Sequence, residues 1–254
     1  MFKQRALTAL WFTPLFLGTA WLGNPYFSLL LVPVGLVALA EFYRLAPVAP
    51  FLPLGLAWAF VFLISPQFSL SLGLWLTLLV ATSFLWLLVF RASFTAWAWT
   101  VAGVFYVAWM LSHLLALRLE VGGREWVLFT LLVTFANDTG AYLVGRVVGR
   151  HQMAPAISPG KTWEGGIGGI LWAVVASLLL SQLFPLSLGY ALALLLGVGV
   201  GVVAQAGDLG ESWLKREKGV KDSGAFLPGH GGLLDRLDSL VFTAPLVYYY
   251  FIWM

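Results

Sequence analysis

The sequence predicts an all-α, polytopic integral membrane protein, and three observations carry that expectation. Of 254 residues, 61% are hydrophobic and only 10% are charged. A soluble domain averages roughly 25% charged residues, so this chain has too few polar groups to cover a water-facing surface. Apolar runs recur along the chain, many near the roughly 20 residues a helix needs to cross hydrocarbon. None shows the sustained period-two alternation of a membrane barrel. Helices are then the remaining way to satisfy every backbone group in lipid.

The runs divide into about nine spans. The first covers about 6–22 and the second about 26–41, separated by Gly23-Asn24-Pro25. After a Pro-rich link (Pro47, Pro50, Pro53) come spans at about 53–65, 69–90 and 94–117. Four more follow at about 125–148, 162–184, 189–211 and 233–253. The basic start followed by an apolar run reads as a first span rather than a removed signal peptide, since no small-x-small cleavage site is evident. No cysteine is present, which excludes disulfides and thiolate metal sites. Two regions are expected: 1–120 with spans one to five, and a catalytic region 121–254 with spans six to nine.

Orientation follows from lysine and arginine. With nine spans, one side holds Lys3, Arg5, Arg44, Arg91, Arg146, Arg150, Lys161, Lys215, Arg216, Lys218 and Lys221, with Arg236 just inside the last span. The other side holds only Arg118 and Arg124. The positive-inside rule therefore puts the N-terminus in the cytoplasm. Glycine clusters in the seventh span (Gly165, Gly166, Gly168, Gly169) and the eighth (Gly197, Gly199, Gly201) suit close helix packing. Alternatively they leave room for a lipid tail.

The charge is concentrated. Six of the eleven acidic residues lie between Gly207 and Asp238: Asp208, Glu211, Glu217, Asp222, Asp235 and Asp238. Asp208, Glu211 and Ser212 are three and four apart, on one face of a helix end. Asp235 and Asp238 open the last span. Carboxylate oxygens suit Mg²⁺, which typically takes one or two of them together with substrate phosphates. Between these acidic ends, Lys215, Arg216, Lys218, Lys221 and His230 with Gly229, Gly231 and Gly232 suit a polyphosphate. Asp138 is a further acid at membrane depth, a costly position that points to an aqueous cavity. Ser158, Gly160, Lys161 and Thr162 resemble half of a phosphate-binding loop. Pro155 stands where its first glycine belongs and no parallel strand precedes it, so a P-loop nucleotidase is excluded. At a helix start the same residues would still offer amides and a cation to phosphate.

The run S-x-L-K-R-x4-K-D-S-G-x2-L-P-G-H-G-G-x2-D-R-x-D, from Ser212 to Asp238, resembles the signature of the phosphatidate cytidylyltransferases. NDTGAY (137–142) and ISPGKTWEG (157–165) are similar to further blocks of that family. The likeness covers about 137–245; the first 120 residues match only in hydrophobic character. It implies a multi-pass enzyme of the inner membrane, homodimeric, joining CTP to phosphatidic acid with Mg²⁺ and releasing pyrophosphate. No nucleic-acid partner is expected. Carried across, Asp208 and Asp235 are metal ligands, with Ser212 and Asp238 at the same centre. Lys215 and Arg236 act beside them. Asp138, Ser158, Lys161, Thr162, Arg216, Lys221, Asp222, His230 and Gly231 are implied in substrate binding. A transporter would use Asp138 but leaves the basic glycine-rich loop unexplained. A CDP-alcohol phosphotransferase would show D-x2-D-G-x2-A-R, which this chain lacks.

Overall fold

The computed structural model describes residues 13–68, 72–226 and 231–254. Among them the chain is helical apart from one short hairpin. The helices are α1 (13–22), α2 (Tyr26–Leu45), α3 (Leu52–Ile64), α4 (Leu72–Val89), α5 (Phe94–Leu119), α6 (Gly123–Val148), α7 (Trp163–Leu183), α8 (Tyr190–Glu217) and α9 (Leu234–Trp253). Five of them, α2 and α5 to α8, are long and apolar enough to cross a membrane by length and composition; α3 and α4 are shorter apolar helices. The beginning of the expected first span lies outside the described residues, as does His230.

Two expectations are corrected. Ser158–Thr162 is not a helix start. It is strand β2, antiparallel to β1 (Gln152–Ala154), with Gln152 opposite Thr162 and Ala154 opposite Ser158. Pro159 and Gly160 disfavour helix there. The helix begins one residue later, where the Thr162 hydroxyl accepts the Gly165 amide at 3.1 Å, a side-chain N-cap. The second correction concerns α8, which runs past the expected end at 211 to Glu217. The segment Glu211 to Glu217 carries good helix formers such as Leu214, Lys215 and Arg216. The chain turns only at Gly219, whose φ of +72° suits glycine. Lys215 and Arg216 therefore sit on a helix rather than in the loop.

The chain forms two compact units. The first holds Met1–Leu119 with Asp222–Leu237. Its core is aromatic: Phe42 stacks on Tyr106 at 5.2 Å and packs against Trp99 at 5.6 Å. The Tyr43 hydroxyl donates to the Thr100 carbonyl at 2.7 Å. Around this contact α5 widens into a π-helical stretch over Val104–Trp109.

The second unit holds Glu120–Lys221 with Asp238–Met254. Here α6 and α7 pack face to face through glycine. A Cβ on Gly165 would lie 2.8 Å from the Ala141 carbonyl oxygen, and one on Gly169 would lie 2.9 Å from the Asn137 carbonyl oxygen. Gly197 and Gly201 bring α8 equally close to Val174 and Ile170 of α7. Close packing thus accounts for both glycine clusters except Gly199, which meets Leu246 at 3.4 Å. Opposite them, Trp163, Ile167, Leu171, Val175, Leu179 and Leu183 are all exposed at every fourth position of α7, the apolar stripe expected of a helix facing lipid. Gly169→Val should lower stability by roughly 2 kcal/mol, since overpacking against fixed backbone has no outlet. Gly73→Ala, where nothing lies within 4 Å, should leave the thermal midpoint in detergent almost unchanged.

Candidate active site

In the second unit, α6, the hairpin and α8 enclose a cavity of about 320 Å³. From α6 come Asn137, Asp138, Tyr142 and Arg146; Asp138, Tyr142 and Arg146 recur every four residues and share a face. Lys161 and Thr162 come from β2, and Gln205 and Asp208 from α8. The α6 glycine Gly145 and the α7 glycines Gly165 and Gly166 also line it, so the absence of side chains there both seats the helices and leaves the hollow open.

At its heart is an ion pair: Lys161 Nζ lies 2.7 Å from Asp208 Oδ2. The Ser212 hydroxyl, one turn along α8, is 3.4 Å from Asp208 Oδ1. Asp138 Oδ1 accepts from the Asn137 amide at 3.1 Å and from the Ser239 hydroxyl at 3.4 Å. Asn137 is in turn fixed by Gln205, whose Nε2 donates to its Oδ1 at 3.3 Å and to the Gly166 carbonyl at 2.8 Å. Asp238 takes the Ser239 amide at 2.7 Å and has Asp208 and Asp138 as like-charged neighbours. Three carboxylates therefore gather here, with Lys161 against Asp208 and close to Asp138, and Lys215 close to Asp238.

Several expected residues have structural partners. Lys215 is buried on α8 and pairs with Glu211 at 3.1 Å, one turn back. Arg216 donates from Nε to the Ile157 carbonyl at 2.9 Å and from Nη1 to the Val220 carbonyl at 3.2 Å. It thereby ties the hairpin to the end of α8. Ser158 pairs with Ala154 in the hairpin and does not line the cavity. Lys221 is exposed at the end of this unit.

The remaining signature residues belong to the first unit. Asp222 and Arg236 are exposed there. Gly231 has a φ of +82°, and a Cβ on it would approach Asp235 Oδ2; only glycine fits. Asp235 accepts the Gly232 amide at 2.7 Å and the Ser223 amide at 3.0 Å. Its carboxylate shapes the loop as well as carrying charge. Two residues escaped the sequence reading. Gln205 and Glu41 are a polar and an acidic residue inside apolar helices, and that isolation was the available signal.

Oxygen donors of this kind fit Mg²⁺. Among the described residues no group of three or more His, Asp or Glu forms a ready-made metal cage. The donor set suits an ion that arrives with phosphate oxygens and water, taking one or two carboxylates from the protein.

The chain matches the model of the "Cytidylyltransferase family" over residues 3–254. It is 36% identical over 249 residues to the phosphatidate cytidylyltransferase of Brucella suis biovar 1 (strain 1330), covering 97% of this chain and 92% of that one. It is 36% identical over 257 residues to the protein of the same name from Staphylococcus haemolyticus (strain JCSC1435), covering 96% and 97%. YnbB of Escherichia coli (strain K12) is 45% identical over 159 residues, which is 63% of this chain and about half, 52%, of YnbB. The match over nearly the full length, together with a polar, lysine- and carboxylate-lined cavity among apolar helices, places this chain in the cytidylyltransferase family.

Proposed function

We infer that the protein transfers a cytidylyl group from CTP to phosphatidic acid, giving CDP-diacylglycerol and pyrophosphate for phospholipid synthesis. The observation that carries this reading is the Lys161–Asp208 pair in a cavity shared with Asp138, in a chain whose near-full-length relatives bear that name.

An oxygen of the lipid phosphomonoester attacks the α-phosphorus of CTP. The new P–O bond forms as the bond from that phosphorus to the α,β-bridging oxygen breaks, and pyrophosphate leaves with the electron pair. The attacking group is already an anion near neutral pH, so no strong general base is needed. The barrier lies in bringing two anions together and aligning them. Lys161 and Arg146 are the cations lining the cavity. Thr162 and the amides at the start of α7 offer donors to phosphate oxygen. Asp208 and Asp238, with Ser212, are the proposed holders of Mg²⁺ in this unit; bound there, the ion would neutralise phosphate charge.

The proposal extends to topology. The chain crosses the inner membrane about nine times with its N-terminus in the cytoplasm, supported by the asymmetry of lysine and arginine. CTP then reaches the cavity from water while the acyl chains remain in lipid. A homodimer is part of the same proposal, on the family resemblance alone. Purified protein given CTP, phosphatidic acid and Mg²⁺ should release pyrophosphate and form a CDP-lipid. Folded protein in lipid that yields no pyrophosphate above background would refute the assignment.

A further inference from the structure

We propose that Glu41 is a positioning residue for cytidylyl transfer: one buried carboxylate on α2 holds the signature loop in its working shape. The proposal rests on the function inferred above and adds a residue far outside the matching sequence blocks.

Glu41 is 2% exposed. Its Oε2 accepts the Leu234 amide at 2.9 Å and the Ser223 hydroxyl at 3.3 Å. Leu234 is the first residue of α9, so its amide is one of the donors that a helix start leaves without an internal partner. A carboxylate there also favours the positive end of the helix dipole. Ser223 is shared between two acids: its hydroxyl serves Glu41 and its amide serves Asp235. Glu41 thus holds Ser223 and Leu234 together.

The glycines of the signature report the same contact. A Cβ on Gly224 would strike Glu41 Oε1, and a Cβ on Gly232 would strike Glu41 Oε2 and Ser223 Oγ. Two of the motif's glycines are therefore required by a residue that lies 182 positions upstream of their neighbour Ser223. Burying a carboxylate inside an apolar helix is costly without hydrogen bonds, and here each of the two bonds comes from the loop or the helix it leads into. Packing alone would call for an apolar side chain. What the carboxylate supplies is the fixed geometry of Asp222, Gly231 and Asp235.

The test compares Glu41→Ala, Glu41→Gln and Ser223→Ala for pyrophosphate release with CTP and phosphatidic acid, amide hydrogen exchange over 222–235, and thermal midpoint. Misplacing reacting groups by about 1 Å can cost on the order of 100-fold, and a loss of about that size in kcat is expected for Glu41→Ala. KM for CTP should change less than kcat. Glu41→Gln, which keeps one acceptor oxygen, should recover part of the rate. Exchange at Ser223 and Leu234 should quicken in Glu41→Ala. Turnover within threefold of wild type, or unchanged exchange in the loop, would overturn the proposal. If Glu41→Ala does not fold, Ser223→Ala carries the test: slower turnover with faster loop exchange supports it, and no change in either overturns it. A wild-type protein without pyrophosphate release sinks the functional reading alone; faster loop exchange in the variants would still establish the clamp.

Discussion

Asp208→Asn is expected to lower turnover by roughly 1,000-fold, the upper range for losing one group aimed at transferring charge. The change keeps the size of the side chain and its approach to Ser212. It removes the negative charge that faces Lys161 at 2.7 Å and one of the carboxylate oxygens proposed for Mg²⁺. Pyrophosphate release across a Mg²⁺ titration is the measurement. Activity within tenfold of wild type at any Mg²⁺ concentration would remove Asp208 from the chemistry. The fold should persist, because Asp208 is neither buried nor packed against glycine.

Lys161→Met is expected to cost roughly 100-fold in kcat/KM for CTP, since a cation that offsets phosphate charge in a low-dielectric cavity is worth several kcal/mol. The loss has two sources. The nucleotide forfeits an attraction, and Asp208, Asp138 and Asp238 are left to repel it. Combining Lys161→Met with Asp208→Asn should therefore cost less than the product of the single losses, as expected for groups in direct contact. A strictly multiplicative effect would show that the two side chains act independently, contrary to the geometry. Lys161→Arg should fall between, because the guanidinium keeps the charge but needs more room than the ammonium.

Much of this was legible in the sequence, for identifiable reasons. Apolar runs between Gly, Pro and charge set the helix positions to within a few residues, because hydrocarbon demands continuous helices. Asp138 stood out as an acid at membrane depth, Lys161 as the cation of a run like half a phosphate-binding loop, and Asp208 as one of the acids at a helix end, and the structure brings all three to one cavity. The apolar run ends before α8 does, because hydropathy falls at Asp208 while helix propensity continues to Glu217. Ser158–Thr162 has the composition of a helix cap, but pairing with Gln152–Ala154 makes it a strand, and such pairing leaves no local signature. Glu41 stands alone among apolar residues and gives no further local signal, because its partners lie at the far end of the chain.

The hairpin makes the aim of Lys161 a matter of counting. Along a strand, neighbouring side chains leave on opposite faces. β2 is pinned at both ends, by Ala154 opposite Ser158 and by Gln152 opposite Thr162. The amide of Trp163 adds a bond to the His151 carbonyl at 2.9 Å. Between those pairs β2 spends three residues, Pro159 to Lys161, against the single Met153 of β1, a bulge that interrupts the simple alternation and re-aims Lys161; one residue gained or lost there would change the lysine's direction relative to Asp208. The connecting turn at 155–157 lies outside those pairs, but the Ile157 carbonyl that Arg216 holds fixes it to α8. The number of residues in the second strand, bulge included, is therefore what aims the cation.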